Sequence, residues 1–157
     1  MDDVVTGICE VDLSKADLAA YRQHLADCVV LGQDGKLLLQ YRPLDWWTKP
    51  GWYTAFGGHV GAGESVIQAL MRELHEELGA QVGMDDVVFL GALTEAETEH
   101  QEMVHVYFWH DREGRITGCY EAEARSFDTV AAALAEPKIM DYLKWALQKG
   151  KSLGFLP

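Results

Sequence analysis

Apolar side chains recur at Ile67, Leu70, Met71, Leu74 and Leu78, the spacing of one buried stripe on an α-helix. Ser65 stands before the stripe with Gln68 three residues on, a capping-box pattern. Gly79 follows the last periodic position, where a left-handed C-terminal residue belongs. These signals predict a helix bounded by Ser65 and Gly79. On its wheel Glu73 and Glu77 lie one turn apart on another face, with Glu76 beside them and Arg72 one turn before Glu76.

Elsewhere the pattern is that of strands. Residues 4–11 read as a short strand. Residues 13–23 have mixed periodicity, with Ser14 and Asp17 suited to capping a helical turn. Residues 24–31 form a clearer strand through Leu25, Val29, Val30 and Leu31. Gln33-Asp34-Gly35 is an Asp-Gly turn returning the chain to residues 36–41, so a hairpin is expected. Residues 87–93 and 103–109 are further strands. In the second, Val104, Val106 and Phe108 alternate with His105, Tyr107 and Trp109, and apolar groups on both faces imply a central position. Residues 116–120 read as a short strand, and residues 121–127 lead into the last one. Asp128 and Thr129 cap a helix over 130–135. Ile139, Tyr142, Leu143, Ala146 and Leu147 mark a final helix ending near Gly150. This order of elements implies an α/β fold, a mixed β-sheet between helices in an α/β/α sandwich. One domain over 1–157 is expected, with its core at about 24–150 and residues 1–23 as an N-terminal extension.

Composition narrows the class. The chain has 157 residues, 48% hydrophobic and 24% charged, ordinary for one globular domain. No apolar run approaches membrane-spanning length, and Met1-Asp2-Asp3 is unlike a signal peptide. A cytoplasmic protein without membrane contact is expected. Cys9, Cys28 and Cys119 are scattered, without metal-ligand spacing or a disulfide framework, and read as buried or half-buried small hydrophobes. The net charge of −12 repels nucleic-acid backbones, and the basic residues Arg22, Lys36, Arg42, Lys49 and Arg72 are dispersed. No nucleic-acid partner is expected. A small polyanion meets the same repulsion unless a cation bridges it to the carboxylates.

That points back to the helix. Like charges at helical spacing cost roughly 0.2–0.5 kcal/mol per pair, and carboxylates near a helix C-terminus oppose its dipole. Mg2+ uses such crowding, since it takes one or two carboxylates together with substrate phosphates and water. A solvated acidic face is the plain alternative. Four glycines at 57, 58, 61 and 63 precede the helix. Read as a glycine-rich loop over 57–64, they let backbone approach a ligand closely. The segment 42–53 carries Trp46, Trp47 and Trp52, three of the five tryptophans. It suits an aromatic platform for a base or an apolar group. Equally, Trp52 and Tyr53 could anchor the next strand while Trp46 and Trp47 cover the core edge or a dimer interface. Arg42 suits a phosphate or the surface, and His24 the surface or a pocket. Ser65 and Cys119 have no neighbouring base to make either a nucleophile.

Gly58, five residues, Glu64, seven residues, then Arg72-Glu73-Leu74-His75-Glu76-Glu77-Leu78-Gly79-Ala80 resembles the Nudix box of the Nudix hydrolase superfamily. The match spans 23 residues, with Ala80 small where a larger aliphatic is usual. The resemblance implies the α/β/α sandwich and a metal site of Glu73, Glu76, Glu77 and the Gly57 carbonyl, with Glu64 bracing the loop through Arg72. Phe56 replaces the proline common before the double glycine, which bears on loop stiffness or the pocket wall. Phe56, Gly58 and His59 join Arg42, Trp46 and Trp47 as candidate substrate contacts. Relatives carry a late carboxylate as ligand or general base. Glu121 or Glu123 is the first choice here, with Glu97, Glu99 and Glu102 as rivals.

The implied activity is Mg2+-dependent hydrolysis (Mn2+ in its place) of a phosphoanhydride in a nucleoside diphosphate-linked substrate. A (deoxy)nucleoside triphosphate giving the monophosphate and pyrophosphate comes first. Nucleotide-sugar or ADP-ribose cleavage, allylic diphosphate isomerisation and non-catalytic nucleotide sensing are the alternatives. A homodimer is common among relatives.

Overall fold

The structure, a computed structural model, describes residues 7–157. Its strands are β1 (Ile8–Val11), β2 (Gln23–Leu31), β3 (Leu37–Tyr41), β4 (Tyr53–Thr54), β5 (Phe56–His59), β6 (Val87–Glu95), β7 (Glu102–His110) and β8 (Glu123–Phe127). Its helices are α1 (Val66–Leu78), α2 (Val130–Leu134) and α3 (Asp141–Ser152). The strands make one sheet in the order β1-β6-β7-β2-β3-β4, with β5 on β2 and β8 on β3. β2 runs parallel to β7 and the other pairings are antiparallel, so the sheet is mixed and β7 lies inside it.

Strand alternation sorts the core onto two faces. Val29, Leu31, Val104, Val106 and Phe108 pack with Leu143, Ala146 and Leu147 of α3. Ala26, Cys28, Val30, Phe56 and Trp109 pack with Ala69, Leu70, Leu74 and Leu78 of α1. The result is an α/β/α sandwich. Of its helices, among the described residues, none is long and apolar enough to cross a membrane.

One feature of the sheet creates the cavity. β2 pairs β5 over Leu25 to Cys28 and β3 only at Val30 and Leu31. The two neighbours share one edge of β2 and diverge from it. Asp27, Gln40, Thr54 and Gly57, all from this fork, line the main cavity.

Several local expectations are corrected. The glycines at 57 and 58 are in β5, paired to Asp27 and Ala26, so the loop itself is shorter than 57–64. The turn after β1 is a 3-10 segment, Leu18–Ala20, capped by Asp17, while Ser14 bonds to Asp12. Residues 116–120 are not a strand. The N–H groups of Thr117 and Tyr120 donate to the carbonyls of Leu78 and Glu77 at 3.0 and 2.9 Å, closing the C-terminal end of α1. His24 is half-buried and does not line the main cavity. Its ring bonds His105 at 2.9 Å and the Leu18 carbonyl at 2.7 Å. Cys28 is buried and Cys119 half-buried, but Cys9 is exposed. Part of the expected N-terminal extension, Ile8–Val11, is the edge strand β1. Residues 4–6 of the expected first strand lie outside the described residues.

Candidate functional site

α1 begins as its sequence dictates. Ser65 and Gln68 form the reciprocal capping box, and Gly79 takes the left-handed conformation at the other end, with φ 66°. The helix buries Leu70, Leu74 and Leu78 against the sheet, and this rotation also buries Glu77, which is 2% exposed. Its Oε2 accepts the Gly57 N–H at 2.7 Å, and Gln40 Nε2 lies 3.5 Å from Oε1. A Cβ on Gly57 would sit 2.1 Å from the Ala26 carbonyl oxygen, and one on Gly58 2.6 Å from Glu73 Oε1. The glycines therefore let strand and helix carboxylates close together.

Arg72 ties the loop to the helix. Its Nε and Nη2 donate to Glu64 at 2.7 and 2.9 Å, a two-point pairing. Nη2 also reaches the His59 carbonyl at 3.0 Å, and Nη1 reaches Glu73 at 2.9 Å and Glu76 at 3.3 Å. The Arg72 bonds and the Gly61 N–H hold the Glu64 carboxyl down to about 2. Glu73 and Glu77 behave in the opposite way. Burial, then the charge of Glu73, pushes Glu77 up to about 9. Burial also raises Glu73, against the pull of Arg72. Asp27, 6% exposed on β2, is pushed up to about 7 by burial, with Glu73 and Glu95 adding and the Tyr142 hydroxyl opposing.

These groups edge a cavity of about 700 Å3. Glu73, Glu76, Glu77, Arg72, Gly57 and Gly58 line it. Arg42, Trp46, Trp47 and His59 also line it, as does Glu121. Phe56 does not; it is wholly buried under α1. Glu64 stands behind Arg72, outside the lining. Glu123 lies on β8, paired with Arg125 at 3.3 Å. Among the rival acids, Glu97 and Glu102 line the cavity and Glu99 does not.

Sequence reasoning passed over Asp27, Gln40, Glu95, Lys49 and Tyr142, which all line the cavity. Asp27 and Gln40 carried a signal, since each is a polar residue inside an apolar strand. Tyr142 was read only as core. Its hydroxyl pairs with Thr54 Oγ1 and accepts the Ala55 N–H at 3.0 Å.

Among the described residues no three His, Cys, Asp or Glu side chains are gathered ready to hold a metal ion. The expected convergence of Glu73, Glu76 and Glu77 is therefore not preformed. Arg72 draws Glu73 and Glu76, while the Gly57 N–H holds Glu77. The donor set still fits a hard divalent cation. It offers only oxygen, from carboxyls that burial first, and neighbouring acids second, hold above their usual range.

The family model described as NUDIX domain matches residues 22–147. The chain belongs to the NUDIX family. It is 44% identical over 61 residues to an isopentenyl-diphosphate Delta-isomerase of Leifsonia xyli subsp. xyli, covering 38% of this chain and 33% of that protein. It is 36% identical over 81 residues to a CTP pyrophosphohydrolase of Escherichia coli (strain K12), covering 52% and 56%. The matches thus span a third to just over half of these relatives. In fold it is similar to the MutT protein from Methanosarcina mazei Go1, with a TM-score of 0.69 at 19% identity over 88% of this chain and 99% of that one. The Escherichia coli ORF135 protein gives 0.65 at 24% identity, covering 88% and 96%.

Proposed function

We propose that the chain is a divalent-metal-dependent pyrophosphohydrolase acting on a nucleoside diphosphate-linked substrate, first of all a (deoxy)nucleoside triphosphate. The observation that carries this reading is the buried Glu77 carboxylate, bonded to Gly57 N–H at 2.7 Å beside Glu73 on the wall of a large cavity. Glu73, Glu76, Glu77 and the Gly57 carbonyl would hold the cation. Mg2+ (or Mn2+) bound there would neutralise diphosphate oxygens and make water a better nucleophile.

The chain's own residues supply the rest. Arg72 and Glu64 fix the helix against the loop. Arg42, whose Nη1 donates to the Thr48 carbonyl at 3.1 Å, steadies the tryptophan segment and faces the phosphates. Trp46 and Trp47 pack the planar group. Glu121 accepts the proton of the attacking water at a carboxylate oxygen. Water adds to phosphorus, the anhydride P–O bond breaks, and a nucleoside monophosphate and pyrophosphate leave. No protein nucleophile is used. We place the enzyme in the cytoplasm as a homodimer, the latter to be checked by sedimentation.

The test is a panel of nucleoside triphosphates, nucleotide sugars and ADP-ribose, with and without Mg2+, read by product identity. Labelled water reports which phosphorus is attacked. Metal-dependent release of a monophosphate from a triphosphate is expected. Binding without turnover would leave a sensing module. A second reading has its own observation, the 44% identity over 61 residues to a protein named isopentenyl-diphosphate Delta-isomerase. Isopentenyl diphosphate therefore belongs in the panel, and conversion to an isomer with no phosphate released would replace hydrolysis with isomerisation.

A further inference from the structure

On one side the sheet ends in β8. It pairs β3 by one edge, and among the described residues no strand pairs the other. Its first four residues are exposed. Such an edge offers a row of free N–H and C=O groups to another chain. The other outer strands are less available. β4 is already bridged to Ile139. β1 carries one charge, Glu10, which Lys149 holds at 3.3 Å.

β8 differs in its charges. Glu123 and Arg125 are two residues apart, so they stand on one face of the strand. Arg125 is fixed before any partner arrives. Its guanidinium carbon lies 3.5 Å from the centroid of the Tyr41 ring, and Nη1 donates to the Tyr53 hydroxyl at 3.1 Å. Nη2 reaches Glu123 at 3.3 Å, in an ion pair whose side chains are 46% and 54% exposed. An ion pair this open contributes little to stability and exchanges partners readily. A guanidinium already held loses little freedom on binding.

A second copy approaching across a two-fold axis pairs antiparallel with β8, and residues of the same face come opposite one another. With the axis at Glu123 or at Arg125, like charges meet, which is destabilising. With the axis at Ser126 or Phe127, neither charge meets its opposite. At Ala124 alone, Glu123 of each copy meets Arg125 of the other, twice. The net charge of −12 drives copies apart in general, so contact belongs where charge balances locally, as it does across this pairing.

We propose that β8 is the surface through which two copies of this chain associate, their sheets joined antiparallel about Ala124. The proposal rests on the homodimer inferred above and names its face. Glu121, which lines the cavity, stands two residues before the strand, so the interface adjoins the site. A strand of five residues makes a small contact, and dissociation in the micromolar range is expected.

Sedimentation equilibrium of the full chain tests it. The unaltered protein is expected to be a dimer that dissociates on dilution. Glu123→Arg and Arg125→Glu each set like charges opposite, and each should weaken the dimer at least about tenfold. Mixed in equal amounts, the two variants should recover it, because every pair between them is then of opposite charge. A folding defect is not repaired by mixing. Ala124→Cys in a Cys9→Ser background should form a disulfide dimer on mild oxidation, since residues facing across an antiparallel pair have Cα atoms about 4.5–5.5 Å apart. Ser126→Cys in the same background should not. A monomeric chain overturns both the homodimer and this face. A dimer unmoved by either reversal, a dimer lost in both and not regained on mixing, or crosslinking no better through Ala124→Cys than through Ser126→Cys overturns this face and leaves the homodimer standing. The nucleotide panel decides hydrolysis independently of both.

Discussion

At position 57 an alanine Cβ would meet the Ala26 carbonyl oxygen at 2.1 Å and Asp27 Oδ1 at 2.3 Å, with φ at 143°. Backbone on the paired strand has nowhere to move, so the sheet itself must open. Gly57→Ala is expected to cost about 3 kcal/mol or more. Gly63 has φ 76° but nothing within 4 Å of its missing Cβ. Gly63→Ala should cost only about 1–2 kcal/mol, the penalty of a left-handed residue. Urea unfolding of both variants checks the contrast, and similar losses would mean that crowding at Gly57 is not the cause. Both glycines stand in one run in the sequence. Their different duties were not legible there, because the clash comes from β2, far away along the chain.

The elements were legible where their signals are local. The capping box, the apolar stripe and Gly79 lie within one short stretch, and α1 appears as that stretch predicts. Ser65→Ala should cost about 1 kcal/mol by losing the bond to the Gln68 N–H, seen as a lower unfolding midpoint with unaltered turnover. Arg72→Lys is a sharper test of the site. A lysine ammonium cannot reproduce the two-point grip on Glu64 together with the bonds to His59, Glu73 and Glu76. The half-saturating Mg2+ concentration should rise at least about tenfold, while circular dichroism stays native. The alternation in β7 was likewise visible, and its two faces do enter different cores. Non-local partners were not visible. Residues 116–120 have strand-like composition, yet the N–H groups of Thr117 and Tyr120 go to the end of a helix. Lys49 and Glu97 meet 48 residues apart. Asp27 is the instructive case, an acid amid Leu25, Ala26, Cys28 and Val29 whose position already marked it as more than a strand residue.

Across the whole molecule the acids outnumber the bases, for a net charge of −12, and the site buries part of that excess. Folding raises Glu77 to about 9 and Asp27 to about 7, against about 4 in an unfolded chain. The folded protein thus keeps protons that the unfolded chain has lost. Without metal, its stability must fall as pH climbs from about 4 through these raised values. A divalent cation binds the deprotonated carboxylates and displaces those protons. Its contribution should therefore grow over the same window. In excess EDTA the unfolding temperature is expected to drop between pH 6 and 9. Excess Mg2+ should restore about 5–10 °C at pH 9 and almost nothing at pH 5. Glu77→Gln, which carries no charge to bury, should flatten the EDTA profile and lose most of the Mg2+ gain. A Mg2+ shift of equal size at pH 5 and pH 9, in both proteins, would place the ion away from Glu77 and leave the raised carboxyls as a feature of folding alone.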